Sequence, residues 1–161
     1  MRSCLWLLLC FVGCASNRPP VARAAVLPAV ELTRVNGGGE SLKAALGGSV
    51  AVIDLWATWC TACEQQRPKL ERLHEAYFAR GLHVIGLDVG ETPSVLNAYL
   101  AAHRTSYPIY LDPDFRVADA LGEKRLPTLL VIDREGRIIR RSPALDAQTL
   151  ATIKALLAPA P

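Results

Sequence analysis

Residues 51–63 read Ala-Val-Ile-Asp-Leu-Trp-Ala-Thr-Trp-Cys-Thr-Ala-Cys, and this stretch decides how the rest of the sequence is interpreted. It begins with a short apolar run, which is typical of a buried β-strand. The residues just after Cys60 include no helix breaker, so a helix can begin there. Cys60 and Cys63 then lie on one face of the first helical turn, close enough to form a disulfide.

Two cysteines at the start of a helix indicate redox chemistry. A thiol at that position faces unpaired backbone N–H groups and the positive end of the helix dipole, and both favour the thiolate. Because the thiolate is the form that attacks disulfides, we predict that Cys60 is the nucleophile and that Cys63 resolves the mixed disulfide. A lone Cys-x-x-Cys pair is also compatible with half a zinc site, a Cu(I)-binding dithiol or an inert disulfide.

Length and composition limit the remaining possibilities. The chain has 161 residues, which suits one domain with a proper apolar core. Its 18 Lys and Arg residues barely exceed its 15 Asp and Glu residues and are not clustered, so no nucleic-acid partner is predicted. None of the three histidines has ligand spacing to the cysteines, so no metal or other cofactor is predicted. Three of the five cysteines fall within the first fourteen residues, which leaves only Cys60 and Cys63 in the body of the chain.

The N-terminus has the pattern of an export signal. Arg2 precedes an apolar run at residues 5–12, which is too short to span a bilayer but suits the core of a secretory signal. The run ends in Phe-Val-Gly-Cys-Ala, residues 11–15, which resembles a bacterial lipobox. In such a motif the cysteine, here Cys14, is lipidated and becomes the mature N-terminus.

These patterns predict three parts of the chain. Residues 1–14 are predicted to be a signal peptide with a lipobox-like end, residues 15–27 a flexible tether, and residues 28–158 a single domain. The domain is then expected on the extracytoplasmic, periplasmic side, anchored to a membrane by its lipid. The alternative is cleavage after the Ala-Arg-Ala of residues 22–24, which gives a soluble exported protein.

Along the predicted domain, strand patterns alternate with helix patterns in the first half. The second half ends in a strand hairpin followed by a helix. Strand patterns cover residues 30–35, 50–55, 82–89, 107–111, 126–133 and 137–141. Helix patterns cover residues 42–46, 61–80, 94–104, 115–121 and 147–158. This order predicts an α/β sandwich with a mixed sheet.

The motif Trp-Ala-Thr-Trp-Cys-x-x-Cys at residues 56–63 resembles the active-site signature of the thioredoxin superfamily. The chain is most similar to the TlpA/ResA type, which are membrane-tethered thiol-disulfide oxidoreductases. The resemblance covers residues 27–158, and residues 82–122 resemble the insertion typical of that type. It implies a thioredoxin-like three-layer sandwich, with a central mixed sheet flanked by helices, and a redox-active Cys60–Cys63 disulfide.

The resemblance also implies roles for other residues. Asp54 occupies the position of a buried acid that exchanges a proton with the resolving cysteine, because apolar surroundings raise its pKa; the alternative is a structural polar residue at a strand end. Pro127 corresponds to a cis-proline opposite the dithiol, which turns the Leu126 backbone toward a substrate chain; an ordinary trans proline is the alternative. Trp59 is expected to cover the site and contact substrate, and Trp56 to lie in the core.

Three residues depart from the family pattern. Thr61 stands where proline is frequent, Gln66 where glutamate is frequent, and Arg125 where glycine is usual. Because Gln66 is neither an acid nor a base, proton transfer would fall more heavily on Asp54. Arg125 either favours the Cys60 thiolate or faces solvent. These departures leave the partner and the reduction potential open.

By resemblance, the chain is predicted to be an enzyme that reduces disulfides of exported proteins, including cysteines of apocytochromes c. A membrane thiol carrier would re-reduce the dithiol. One alternative is a Cu(I)-binding metallochaperone, although similar copper carriers have wider cysteine spacing and a downstream histidine, and none follows His103. The other alternative is a peroxiredoxin-like peroxidase. That family has a threonine three residues before its reactive cysteine. Here the residue at that position is Ala57 if Cys60 is the reactive cysteine, and Cys60 if Cys63 is.

Overall fold

A computed structural model of the protein describes residues 25–159. The predicted signal peptide, the lipidation at Cys14 and the alternative cleavage after residue 24 lie outside the described residues. Within residues 25–159, no helix combines the length and the apolar character needed to cross a membrane.

The described residues form the predicted strands and helices in the predicted order, together with two short strands, at residues 25–26 and 39–41, that were not predicted. The strands are β1 (Ala25–Val26), β2 (Glu31–Arg34), β3 (Gly39–Ser41), β4 (Val50–Trp56), β5 (Leu82–Val89), β6 (Ile109–Asp112), β7 (Thr128–Ile132) and β8 (Arg137–Ser142). The helices are α1 (Leu42–Leu46), α2 (Thr61–Tyr77), α3 (Pro93–Ala102), α4 (Arg116–Leu121) and α5 (Ala147–Leu157), and a 3₁₀ turn, Phe78–Arg80, follows α2.

All the strands belong to one mixed sheet in the order β1-β8-β7-β4-β5-β6-β2-β3. The three central strands β4, β5 and β6 are parallel, so their carboxyl ends meet at one edge. On one side β7 and β8 pair antiparallel to β4, and on the other β2 pairs antiparallel to β6. The predicted α/β sandwich with a mixed sheet is confirmed.

Helices cover both faces of the sheet because β4 and β5 are apolar on both sides. On one face α1 and α4 pack against a core that includes Leu42, Leu46, Ile53, Leu87, Val117 and Leu121. On the opposite face α2 and α5 pack against a core that includes Val52, Leu70, Leu73, Val131, Ile153 and Leu157. A smaller cluster at the carboxyl edge contains Trp56, Cys60, Cys63, Leu96 and Leu111.

The domain begins slightly earlier than the sequence indicates. Ala25 and Val26 pair with β8, and the backbone N–H of Leu27 donates to the Gly136 carbonyl at 2.9 Å. Residues 25–26, which were predicted to be part of the tether, therefore belong to the sheet, and Leu27 is hydrogen-bonded to the turn before β8. Their partners lie more than a hundred residues away in sequence, so local composition does not reveal this pairing.

Candidate active site

The two cysteines lie at the start of α2, directly after the loop that follows β4, at the carboxyl edge of the sheet. The chain turns between Trp56 and Cys60, and α2 begins at Thr61. Cys60 is the N-cap residue: its backbone is extended, and its Sγ accepts a hydrogen bond from the backbone N–H of Cys63 at 3.2 Å. The sulfurs of Cys60 and Cys63 are joined in a disulfide.

The two sulfurs differ in their access to solvent. Cys60 is 8% exposed, whereas Cys63 is completely buried. Trp59, directly before Cys60, is 69% exposed, while Trp56 lies in the core as expected. An attacking molecule can therefore reach the disulfide from the side of Cys60 and Trp59, and only with difficulty from the side of Cys63.

A second strand brings the predicted substrate-binding residues to the same edge. The Leu126–Pro127 peptide bond is cis and directly precedes β7. Because Thr128 pairs with Leu55 of β4, Pro127 lies at the level where β4 ends. Leu126 packs against the cluster that contains both cysteines. The Arg125 side chain is exposed.

Asp54 is a buried acid on the α2 face of β4. Side chains alternate along a strand, so Asp54 shares its face with Trp56. Burial raises the pKa of Asp54 to about 7, and Gln66 and Arg67 of α2 act in the opposite direction. Because both residues lie in the turns that follow Cys63, Asp54 sits beneath the start of α2.

The surroundings of Asp54 contain unused hydrogen-bonding groups. Among the described residues, neither carboxyl oxygen of Asp54 has a hydrogen-bond partner, and neither does Nε2 of Gln66. Gln66 therefore influences Asp54 as a nearby dipole rather than through a formed hydrogen bond. Its Oε1 accepts from the backbone N–H of Leu145 at 3.0 Å, which ties α2 to the loop before α5. With no donor bound to it, Asp54 can gain or release a proton near neutral pH.

Two further acids, Asp88 and Glu91, lie near the loop that precedes Cys60. Glu91 accepts hydrogen bonds from the backbone N–H and the hydroxyl of Thr58, both at 2.6 Å. Asp88 is fully buried and lies opposite Trp56 in the parallel register of β4 and β5. This pair was not predicted from the sequence. The available signal was an acid near the end of an apolar strand, which is also the pattern of Asp54.

A cation is held against the aromatic part of the site. The Arg67 guanidinium lies over the ring of Trp56, 5.8 Å from its centroid, and over the ring of Tyr99, 5.1 Å from its centroid. It also donates a hydrogen bond to the Tyr99 hydroxyl. Arg67 thus links α2 and α3 across the buried Trp56.

Within residues 25–159, no group of three or more His, Cys, Asp and Glu side chains is arranged to hold a metal ion. In that part of the chain, the only sulfur ligands at the site are those of Cys60 and Cys63. These two thiols can bind a soft ion such as Cu(I) or undergo thiol-disulfide exchange.

Comparisons with known proteins agree with this geometry. The model of the AhpC/TSA family matches residues 24–141. The chain is similar to the thiol-disulfide oxidoreductase ResA of Halalkalibacterium halodurans, with 30% identity over 103 residues that cover 63% of this chain and 58% of that protein. It is similar to ResA of Bacillus subtilis (strain 168), with 26% identity over 95 residues that cover 59% and 53% of the two chains. The match spans little more than half the length of these curated relatives.

Solved structures resemble the whole domain. A putative thiol:disulfide interchange protein DsbE from Chlorobium tepidum superposes with a TM-score of 0.75, at 24% identity, and covers 84% of this chain and 97% of its own. A thioredoxin family protein from Chlorobium tepidum TLS superposes with a TM-score of 0.71, at 24% identity, and covers 85% and 99%. These similarities establish a thioredoxin-like fold, as the sequence predicted.

Proposed function

The chain belongs to the AhpC/TSA family, and from this membership and its thioredoxin-like fold we propose that it is a thiol-disulfide oxidoreductase. Its redox centre is the Cys60–Cys63 disulfide. The observation that supports this most strongly is the asymmetry of the two sulfurs. Cys60 is the N-cap of α2, keeps 8% exposure and accepts a backbone hydrogen bond, whereas Cys63 is completely buried one turn further on.

The first step begins from the reduced protein, in which both cysteines are thiols. The Cys60 thiolate attacks one sulfur of a substrate disulfide. A bond forms between Cys60 and that sulfur, the substrate disulfide breaks, and its other sulfur leaves as a thiolate that takes up a proton from water. Backbone N–H groups at the start of α2 stabilise the attacking thiolate.

The second step releases the substrate. Cys63 loses its proton and attacks Sγ of Cys60, so the Cys60–Cys63 bond forms and the bond to the substrate breaks. The substrate sulfur leaves as a thiolate. The substrate has then gained two electrons and the protein has lost two, which gives the disulfide form described here.

We assign the proton transfer of the second step to Asp54. Cys63 is completely buried, so its proton needs an internal acceptor. Asp54 lies beneath the start of α2, and with a pKa of about 7 it is partly ionised at neutral pH. Gln66 has no titratable group, which leaves Asp54 as the acid on this face of β4.

We place the substrate-binding surface around Trp59, Leu126 and Pro127. Trp59 offers a largely exposed indole next to Cys60, and Leu126 packs against the cysteine cluster from the other side. An extended chain lying between them would bring its disulfide to Cys60. Backbone groups of Leu126 would then hydrogen-bond that chain.

We propose the reducing direction and the clients from the resemblance to the TlpA/ResA type, and the location from the N-terminal sequence. The export signal and the lipobox-like cysteine favour an extracytoplasmic protein that is held at a membrane through Cys14. In that compartment the clients would be exported proteins with disulfides, including apocytochromes c. A membrane thiol carrier would return the oxidised dithiol to its reduced form.

A redox titration against glutathione tests the reductase direction. We expect the Cys60–Cys63 couple to have a potential near that of thioredoxin, about −270 mV, together with reduction of insulin disulfides by the reduced protein. Cys60→Ser, a variant that cannot form the disulfide, should reduce no insulin. A potential close to that of the oxidant DsbA, about −120 mV, would overturn the reductase direction while leaving disulfide exchange in place.

Two further assays separate the alternative functions. If the reduced protein holds one Cu(I) against a strong chelator and does not reduce insulin, the copper-chaperone function replaces the proposal. If it consumes hydrogen peroxide faster than it reduces insulin, a peroxidase replaces it. The thiol-disulfide proposal expects insulin reduction in the absence of both metal and peroxide.

A further inference from the structure

The loop before Cys60 is held by a single carboxylate. Both polar hydrogens of Thr58, on its backbone nitrogen and on its hydroxyl, point at Glu91, and both distances are 2.6 Å. Hydrogen bonds to an ionised carboxylate are about twice as strong as neutral ones. Thr58 lies two residues before Cys60, so Glu91 fixes the segment that presents Trp59 and Cys60 to the solvent.

Asp88 lies near the carboxyl end of β5, three residues before Glu91. It is fully buried, and among residues 25–159 neither of its oxygens has a hydrogen-bond donor. An ionised carboxylate in such a place is costly unless it is paired. Asp88 lies three residues before Glu91, close enough for a hydrogen bond between the two carboxyls to act on the pKa of each, and such a bond requires that one of them carries a proton. Because Glu91 already receives the two donors of Thr58, Asp88 is the residue suited to hold that proton.

We propose that Asp88 and Glu91 act as one positioning unit for the active-site loop. Asp88 is protonated and donates a hydrogen bond to Glu91, and the Glu91 carboxylate accepts the two hydrogen bonds from Thr58. The consequence for Cys60 rests on the proposed function, because it is measured on the Cys60–Cys63 couple. The negative charge of Glu91 disfavours a thiolate at Cys60 and so opposes accumulation of the reduced form.

The directions in which the pKa values of the two carboxyls are shifted agree with this assignment. Burial, together with the neighbouring Glu91, raises the pKa of Asp88 to about 8. Burial acts in the same direction on Glu91, but hydrogen bonds from Asp88 and Thr58 outweigh it and hold the pKa of Glu91 below its ordinary value. At neutral pH the proton therefore stays on Asp88 and the charge on Glu91.

The other titratable groups on the surrounding elements contact residues other than Thr58. Asp54 shares the face of β4 with Trp56, and Arg67 of α2 and Tyr99 of α3 contact the ring of that tryptophan. On β6, Asp112 pairs in register with Val89, and its oxygens accept from the backbone N–H groups at the start of α4. Asp112 is thus a buried carboxylate of the same sheet that does not hold the loop, which makes it a matched control.

The test uses amide hydrogen exchange at Thr58 and carboxyl ¹³C shifts in the oxidised protein. At pH 6–7 the shift of Asp88 should be that of a protonated acid and the shift of Glu91 that of a carboxylate. Glu91→Gln should speed exchange of the Thr58 amide by about tenfold, because it removes an ionised acceptor. Asp88→Ala should also speed it, whereas Asp88→Asn, which keeps an N–H donor, should stay within about twofold of wild type.

The redox arm measures the equilibrium constant with glutathione. Glu91→Gln should shift it about threefold toward the reduced protein, because a negative charge near Cys60 is lost. Asp112→Asn should change neither this constant nor Thr58 exchange. A protonated Glu91 beside an ionised Asp88, or equal Thr58 exchange in Asp88→Asn and Asp88→Ala, would overturn the proposal. The exchange and ¹³C arms need no enzymatic activity, so they decide it even if the protein reduces no disulfide.

Discussion

The Sγ atom of Cys60 accepts a hydrogen bond from the backbone N–H of Cys63 at 3.2 Å, so the first cysteine of the pair caps the helix that carries the second. A helix start has N–H groups without partners inside the helix, and an electron-rich sulfur satisfies one of them. The same backbone geometry therefore separates two chemically identical side chains into an accessible and a buried thiol.

The two thiols should differ in their rate of alkylation. After reduction, iodoacetamide at pH 7 should modify Cys60 at least about tenfold faster than Cys63, because Cys60 keeps 8% exposure at a helix start that favours its thiolate, whereas Cys63 is completely buried. Peptide mass spectrometry of samples quenched over time measures both rates and separates them from the cysteines near the N-terminus. In Cys60→Ala, the remaining Cys63 should still react slowly. Equal rates at the two positions would contradict the asymmetry.

Replacing the buried acid of β4 should stabilise the protein at neutral pH. Because the pKa of Asp54 is raised to about 7, the folded state binds the proton more tightly than the unfolded chain, and stability falls as pH rises from about 4 to about 7. Asp54→Asn removes this loss. The free energy of unfolding in urea should therefore be higher than in wild type at pH 8, by about 2–4 kcal/mol, and nearly equal at pH 4.

Asp133 provides a control with the opposite sign. It is also buried, but it accepts hydrogen bonds from the backbone N–H groups of Glu135 and Arg137 and from the Arg137 side chain. Burial acts to raise the pKa of Asp133, but these hydrogen-bond donors outweigh burial and hold that pKa below its ordinary value. Asp133→Asn should destabilise the protein at pH 7, and the loss should shrink as pH falls below about 4. Destabilisation by Asp54→Asn at pH 8 would contradict the account of Asp54.

The two tryptophans of the motif should separate stability from substrate binding. Trp56→Ala should cost about 3–5 kcal/mol in urea unfolding, because the side chain is buried in the active-site cluster. Trp59→Ala should cost less than about 0.5 kcal/mol, because its side chain is largely exposed. It should nevertheless lower kcat/KM several-fold for a protein disulfide while leaving a small disulfide nearly unaffected. An equal loss of kcat/KM for both substrates would contradict the assignment of Trp59 to the substrate-binding surface.

An acid at position 66 should move the pH dependence of catalysis. Gln66→Glu places a second carboxyl beside Asp54, and the two cannot both ionise easily. The acid limb of the kcat profile for insulin reduction should therefore move to higher pH by about one unit. Gln65→Glu adds the same charge one residue earlier on the exposed face of α2 and should leave the profile unchanged. Identical profiles for the two variants would rule out proton transfer through this face.

Local patterns were sufficient to predict the elements that make up the site. The apolar run of β4, the start of α2 at the cysteines and the alternation of strands and helices all depend on neighbouring residues. The predicted strand at residues 82–89 coincides with β5, and the predicted helix at residues 115–121 begins one residue before α4. Elements whose signal lies in consecutive residues were therefore predicted to within a few residues.

Contacts between distant segments could not be read from the sequence. Thr58 and Glu91 lie 33 residues apart, and they meet only because β4 and β5 pair in a register that sets Trp56 opposite Asp88. The same limit applies to β1, whose pairing with β8 depends on a partner at the other end of the chain. The sequence identified Asp54 because it lies six residues before Cys60, whereas Asp88 also lies near the end of an apolar strand but has no recognisable motif after it.

The central claim is that Cys60 attacks substrate disulfides and Cys63 resolves the product. The most direct test incubates Cys60→Ala and Cys63→Ala with a disulfide-bonded protein substrate and compares covalent complexes by non-reducing electrophoresis and mass spectrometry. Cys63→Ala should accumulate a mixed disulfide through Cys60, because the resolving thiol is absent, and Cys60→Ala should accumulate none. A mixed disulfide through Cys63 in Cys60→Ala, with none in Cys63→Ala, would contradict the account.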